Sequence, residues 1–151
     1  MAYADTLRSA LFTGGDIATL IEGIGVSGYP LTWSTWTPTM GATGSMTYTS
    51  TSIRYANYIA IGTLRIISVR VDGTIGGSVS TGVTITLPTA TASTTYDQFA
   101  TGRIYVNGAG EAGVIGLTTA STTATFYRYA TGSNWVAGTA SVSGNFIYYS
   151  A

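Results

Sequence analysis

The 151-residue chain has the length of one ordinary domain, and its formal net charge is zero because only six arginines balance six acidic residues. It contains no histidine, cysteine or lysine, which excludes disulfides and thiolate or imidazole metal sites and removes side chains that commonly act in acid–base catalysis. Hydrophobic residues make up 45% of the chain and the remainder is rich in Thr, Ser and Gly, a composition that indicates a β-rich globular protein.

Neither nucleic acid nor a membrane is an expected partner. The arginines are spread along the chain and form no basic stripe that would neutralise a phosphate backbone. No apolar run approaches the ~18 residues that a spanning helix needs, and the segment from Met1 to Asp5 lacks the basic start and apolar run of a secretory signal. We therefore expect a protein that is made in a cytoplasm.

Residues 1–30 are predicted to form a short helical leader, with helices from Tyr3 to Phe12 and from Asp16 to Glu22. Isolated helices shorter than about 12 to 15 residues are marginal in water, so the leader should dock on the chain's own sheet or, as a tethering arm, on a neighbouring subunit or scaffold. The apolar residues at helical spacing are the candidate subunit or capsid contacts: Leu7, Leu11, Ile17, Leu20, Ile21 and Ile24.

Residues 31–151 are predicted to form an antiparallel β domain of about seven strands. Met46 and Tyr48 alternate with threonines in the first strand. The long run from Tyr55 to Val71 should hold two strands that meet near Gly62.

The second half of the β domain shows the same alternation. A strand from Val83 ends at Leu87-Pro88, because proline has no N–H for a strand ladder. Asn107-Gly108 tolerates positive φ and predicts a hairpin between flanking apolar strands. The last strand, from Ala140 to Tyr148, should bury alternate residues on one face, as should a strand around Phe126. Residues 76–82 and 89–95 are the predicted exposed loops.

No amphipathic helix separates these short strands, which favours a sandwich or barrel over any β–α–β arrangement. The expected fold is therefore all-β: an antiparallel, jelly-roll-like β-sandwich behind the helical leader.

The acidic residues predict no catalytic, metal or cofactor site, and we expect a protein that is not an enzyme. Three of the six acids lie in the leader, and Asp72 is predicted to lie in an Asp-Gly turn. Asp97 and Glu111 remain the only pair that a glycosidase mechanism could use. Both are expected to be solvated surface acids, in a polar loop and just beyond a hairpin turn.

Aromatic residues are the remaining candidates for recognition, since Tyr and Trp are enriched in both cores and interfaces. Tyr127 and Tyr129 lie on the strand face opposite Phe126. If Phe126 points inward, both tyrosines point outward, either for cross-strand packing or toward a partner or a sugar.

Several short motifs follow one another along the β region. A Trp stands near a Pro-Thr pair, a Tyr precedes an Ile-Gly, and a later strand ends in Leu-Pro. The residues are Trp36-Thr37-Pro38-Thr39, Gly44, Tyr58 to Gly62, Leu64-Arg65-Ile66 and Ile85-Thr86-Leu87-Pro88.

With these motifs, the segment from Trp33 to Ala151 resembles a recurrent structural domain of bacteriophage virion proteins, found at the ends of tail fibres and in small head proteins. The chain departs from the pattern in lacking a Lys or His after the Ile-Gly and a coiled-coil or collagen-like shaft before the domain.

The resemblance implies a virion protein that forms a homotrimer. Because a shaft is missing, a capsid decoration or cement protein on the major capsid protein is the first expectation. A tail-fibre or receptor-binding module that recognises host glycans is the alternative.

Overall fold

Alternating apolar and hydroxyl residues build nine strands, which hydrogen-bond into a single antiparallel sheet. The computed structural model describes residues 32–88, 97–128 and 134–151. In chain order the strands are β1 (Ser34–Thr35), β2 (Met40–Ala42), β3 (Met46–Ile61), β4 (Leu64–Gly77), β5 (Gly82–Thr86), β6 (Gln98–Val106), β7 (Ala109–Leu117), β8 (Thr123–Arg128) and β9 (Gly138–Tyr149).

The strand order across the sheet is β1-β3-β4-β9-β6-β7-β8-β5-β2, and the sheet curls into an open half-barrel. The predicted all-β, antiparallel class is confirmed. The jelly-roll-like sandwich is not confirmed, because all the described strands belong to one continuous sheet. The described residues include no helix that could cross a membrane. The predicted leader lies outside the described residues.

Both predicted hairpin turns are confirmed. Gly62 has a φ of 57° in the two-residue turn between Ile61 and Leu64, which joins β3 to β4. Asn107 and Gly108 have φ angles of 49° and 85° in the turn between β6 and β7. Positive φ at both central residues matches the right-handed twist of the flanking strands, which is why Asn-Gly predicts the hairpin correctly.

One strand assignment and one turn were wrong. The segments around Met46 and after Tyr55 are a single strand, β3, which continues through two register shifts. Asp72, predicted to lie in a turn, instead lies inside β4. The Gly73 beside it is required in the strand because the ring of Tyr48 crosses it: a Cβ there would lie 2.5 Å from the Tyr48 Cε1 atom. The glycine therefore marks close packing rather than a turn.

The core fills the concave face of the sheet. The predicted alternation in β9 is confirmed, with Ala140, Val142, Phe146 and Tyr148 all buried. Strands β3 to β9 all contribute side chains to one cluster. Its largest fully buried members are Trp135, Tyr148, Phe126, Ile67, Ile75, Ile85, Ile104, Ile115 and Leu117.

The chain segment between β1 and β2 connects the two edges of the sheet. Strand β1 pairs with β3 and strand β2 pairs with β5, so residues 36–39 run from one edge to the other. The Trp36 backbone N–H donates to the Ala56 carbonyl (3.1 Å), and its indole Nε1–H donates to the Thr86 carbonyl (3.3 Å). We call this connection the seam. It joins two edges whose backbone groups would otherwise be open to other strands.

Candidate interaction surface

A row of apolar side chains crosses the convex face near one end of the sheet. Strand register places Ile59, Ile66 and Ile147 side by side on β3, β4 and β9, all pointing away from the core. Ile147 is 54% exposed, and Trp33 beside it is 53% exposed. Trp33, Ile66 and Ile147 line an open depression of about 460 Å³.

Phe99 extends this row toward β8. The side chain of Gln98 exchanges two hydrogen bonds with the Tyr149 backbone (3.1 and 2.7 Å), which ties the start of β6 to the end of β9. Phe99 is 72% exposed, and its ring lies beside Gly116, where a Cβ would be 3.5 Å from Phe99 and 3.1 Å from Tyr127. The glycine makes room for both rings at the border of the row.

We call this surface the apolar band and define it as Trp33, Ile59, Ile66, Phe99, Ile147 and Tyr149. A contiguous patch of large apolar side chains on a soluble protein marks an interaction site, whereas scattered single residues do not. Aromatic residues at such sites supply much of the binding energy.

The centre of the convex face is polar and positively charged. Asp72 accepts hydrogen bonds from Arg54 (2.6 Å) and from Arg70 (3.3 Å). Burial alone would raise the pKa of Asp72, but the Arg54 guanidinium, the Ser141 hydroxyl and the Arg70 guanidinium together outweigh it and hold this pKa below its ordinary value. One carboxylate thus serves two arginines, which leaves a surplus of positive charge.

Arg103 lies next to this network and forms no ion pair with any described residue. Its guanidinium carbon lies 4.7 Å from the ring centroid of Tyr105, and Arg70 lies 5.7 Å from the same ring. Both distances are within the range of cation–π contacts.

A hollow of about 320 Å³ opens beside Arg103 on the convex face. The backbone of Gly102 and Gly144, direct partners on β6 and β9, lies between its side-chain walls. The walls are Tyr55, Thr101, Arg103, Ser143 and Asn145. We call this site the Arg103 hollow; it combines an aromatic ring, a cation, hydroxyls and an amide.

The two acids considered for catalysis are held by different partners. Glu111 lies in β7 and forms two contacts with the Arg128 guanidinium, so the prediction of a solvated surface acid was wrong for it. The hydrogen bond to Glu111 raises the pKa of Arg128. Asp97 is exposed and accepts a hydrogen bond from the Thr119 backbone (2.8 Å). No group of three or more metal-ligating side chains occurs in the part of the chain that the structure describes.

Of the predicted contact residues, Tyr127 alone lies in the part of the chain that the structure describes. Tyr127 points away from the core, opposite the fully buried Phe126, and borders the apolar band. Tyr129 and the six apolar residues of the leader lie outside the described residues. Sequence alternation missed the band, although one signal was present: residues 146–149 are apolar or aromatic without a break, so both faces of that strand end are apolar.

Three residues of the sequence motifs, Trp36, Tyr58 and Thr86, meet at the seam. The Trp36 ring makes an edge-to-face contact with Tyr58, with centroids 6.1 Å apart, and Trp36 also reaches the Thr86 carbonyl. These contacts tie the two edges of the sheet together. No family model, curated protein or solved structure matches the chain.

Proposed function

We propose that this chain is a structural protein of a bacteriophage virion: a capsid decoration, or cement, protein that binds the outer capsid surface and stabilises the head. It is made in the host cytoplasm and is not an enzyme. The apolar band is the observation that carries the proposal, because Phe99 and Ile147 are more than half exposed and contribute little to the fold.

Contact with another protein would remove this surface from water. Fully burying a large apolar side chain is worth roughly 1.5 to 3 kcal/mol, so several such residues in one band could hold a subunit in place. The net charge of zero also favours association, because the subunits repel each other little. The proposed partners are the major capsid protein and further copies of this chain in a homotrimer.

The helical leader and the jelly-roll-like sandwich are part of the same proposal. The helical leader would tether the subunit through the apolar residues assigned to it above. Both halves of the curled sheet contribute to one core, which supports keeping the jelly-roll-like sandwich as a proposal.

Binding to purified capsids tests this function. The wild-type chain should co-sediment with capsids and raise their resistance to heat and osmotic shock, whereas Phe99→Ser combined with Ile147→Ser should weaken binding at least tenfold. Val79→Ser combined with Val136→Ser is the matched control, since both valines are about half exposed and lie outside the band. Capsids that ignore the wild-type chain would contradict the proposal.

A receptor-binding module that recognises host surface glycans is the second candidate. The Arg103 hollow favours it, because an exposed tyrosine beside polar side chains suits a sugar ring. The two candidates differ in their targets. A cement protein binds capsids and ignores cell envelopes, whereas a receptor module labels host cells and competes with infection.

A further inference from the structure

We propose that the Arg103 hollow binds a saccharide unit that carries a carboxylate, such as a uronic acid residue of an acidic polysaccharide. This inference rests on the second candidate function and gives it a ligand class and a set of residues. It uses no member of the apolar band, so the capsid-binding proposal does not depend on it.

Charge points to an anionic ligand. Asp72 is already bonded by Arg54 and Arg70, and Glu111, on the strand beside β6, is held by Arg128. Neither acid pairs with Arg103, so its guanidinium can accept a negative group from outside. A planar guanidinium binds a carboxylate through two parallel N–H···O bonds, and an arginine that has no ion pair among the described residues matches the single charge of a carboxylate.

The arginine is held in place before any ligand arrives. Its guanidinium lies against the Tyr105 ring and beside Gly110, at the β7 side of the hollow, and the Ser143 hydroxyl fixes the backbone of the same residue by donating to the Arg103 carbonyl oxygen (3.2 Å). A group that is already oriented loses less conformational entropy on binding than a free surface side chain.

The other walls suit a sugar. Tyr55 is 41% exposed and offers a ring against which the C–H face of a sugar can pack. Thr101 and Asn145 provide hydrogen-bond donors and acceptors for hydroxyl groups. The volume of about 320 Å³ lies at the lower end of the range for small-molecule sites, which fits one or two sugar units.

The test compares two oligosaccharides that differ mainly in the carboxylate. Titration calorimetry with the full chain would use the trimer of galacturonic acid and the corresponding trimer of galactose. We expect the acidic trimer to bind at least tenfold more tightly than the neutral one, and the difference to shrink as salt is added.

Variants locate the binding. Arg103→Gln should weaken binding of the acidic trimer at least tenfold, and Tyr55→Ala should weaken binding of both trimers. Arg65→Gln is the matched control, because Arg65 hydrogen-bonds the Gly62 and Leu64 carbonyls at the β3–β4 turn, away from the hollow. Thermal unfolding of each variant establishes that it is folded before it is titrated.

The outcomes separate the inference from the function on which it rests. Equal affinity for the two trimers, or unchanged binding by Arg103→Gln, would overturn the acidic-sugar site while leaving a neutral glycan as the ligand. If neither trimer binds and the chain does not label host cells, both the inference and the glycan-binding function fail.

Discussion

Both faces of the curled sheet carry phenylalanine and isoleucine side chains, but these side chains are buried on one face and exposed on the other. On the concave face Phe126 and Ile67 are fully buried, whereas on the convex face Phe99 and Ile147 are 72% and 54% exposed. Stability explains why Phe126 and Ile67 are apolar, since apolar area removed from water stabilises the fold. The second pair stays largely in water, so folding alone does not account for it.

The largest expected effect on stability is that of truncating Phe126 on the concave face, and Phe99 on the convex face is its matched counterpart. Phe126→Ala should lower the free energy of unfolding by about 3 to 5 kcal/mol, because it removes a buried ring and leaves a cavity. Phe99→Ala should change it by less than about 0.5 kcal/mol, because its ring is mostly solvated. Urea unfolding followed by tryptophan fluorescence measures both values. Similar losses for the two variants would remove the distinction between the faces.

Two tryptophans provide a second matched pair. Trp36 packs against the core and donates its indole N–H to the Thr86 carbonyl across the seam, whereas Trp33 lies half exposed in the apolar band. Trp36→Phe should lower the free energy of unfolding by about 1 to 2 kcal/mol, through the lost hydrogen bond and the smaller ring. Trp33→Phe should leave it nearly unchanged.

Hydrogen exchange shows where the Trp36 variant acts. Faster exchange of the Thr86 amide, which donates to the Thr39 carbonyl (3.0 Å), would indicate local opening of the seam. Unchanged protection at Thr86 would mean that the seam does not depend on the indole.

Sequence alternation predicted the concave face because burial imposes a period of two on each strand. It predicted β9 and both hairpins correctly. It missed β1 and β2, which are two and three residues long, too short to show a period. Their pairing comes from contacts between distant parts of the chain, such as the seam bonds of Trp36, and no local pattern encodes those.

The convex face was harder to predict for a different reason. Solvent tolerates most side chains, so an outward Ile147 leaves no periodic signal unless its neighbours are also considered. Asp72-Gly73 was misread because Asp-Gly favours turns locally, whereas packing of the Tyr48 ring over Gly73 decides the outcome in the fold. The Arg103 hollow draws on β3, β6 and β9 and becomes visible only with the strand order.

The two faces also differ in their polar groups: the Tyr48 hydroxyl is buried in the core, whereas Asp72 lies with two arginines on the convex face. Tyr48 donates to the Val71 carbonyl (3.1 Å) and the Ala140 carbonyl (3.4 Å) inside the core. Tyr48→Phe should lower the free energy of unfolding by about 1 kcal/mol, because both acceptors lose this donor.

The Tyr48 hydroxyl also predicts a pH dependence. Burial, with a smaller contribution from the negative charge of Asp72, raises the pKa of Tyr48 above its ordinary value of 10.0. The folded state then holds the proton that the unfolded state releases, so this contribution to stability is full below pH 10 and declines as the pH rises above it. Tyr48→Phe should lose less stability than the wild type above this pH, and equal losses would contradict the raised pKa.

The smallest expected change in the free energy of unfolding is that of replacing Asp72 on the convex face. Its pKa is lowered below 3.8, so the stability it contributes is full above that value and is lost as the pH falls through the folded pKa. Asp72→Asn should cost about 0.5 kcal/mol at neutral pH, because Arg54 is largely exposed and solvent screens the pair. The difference from wild type should shrink in acid, as unfolding measured from pH 6 to pH 2 would show. A variant that stays less stable by the same amount down to the lowest pH would show that Asp72 acts through its packing between β3 and β9 and not through its charge.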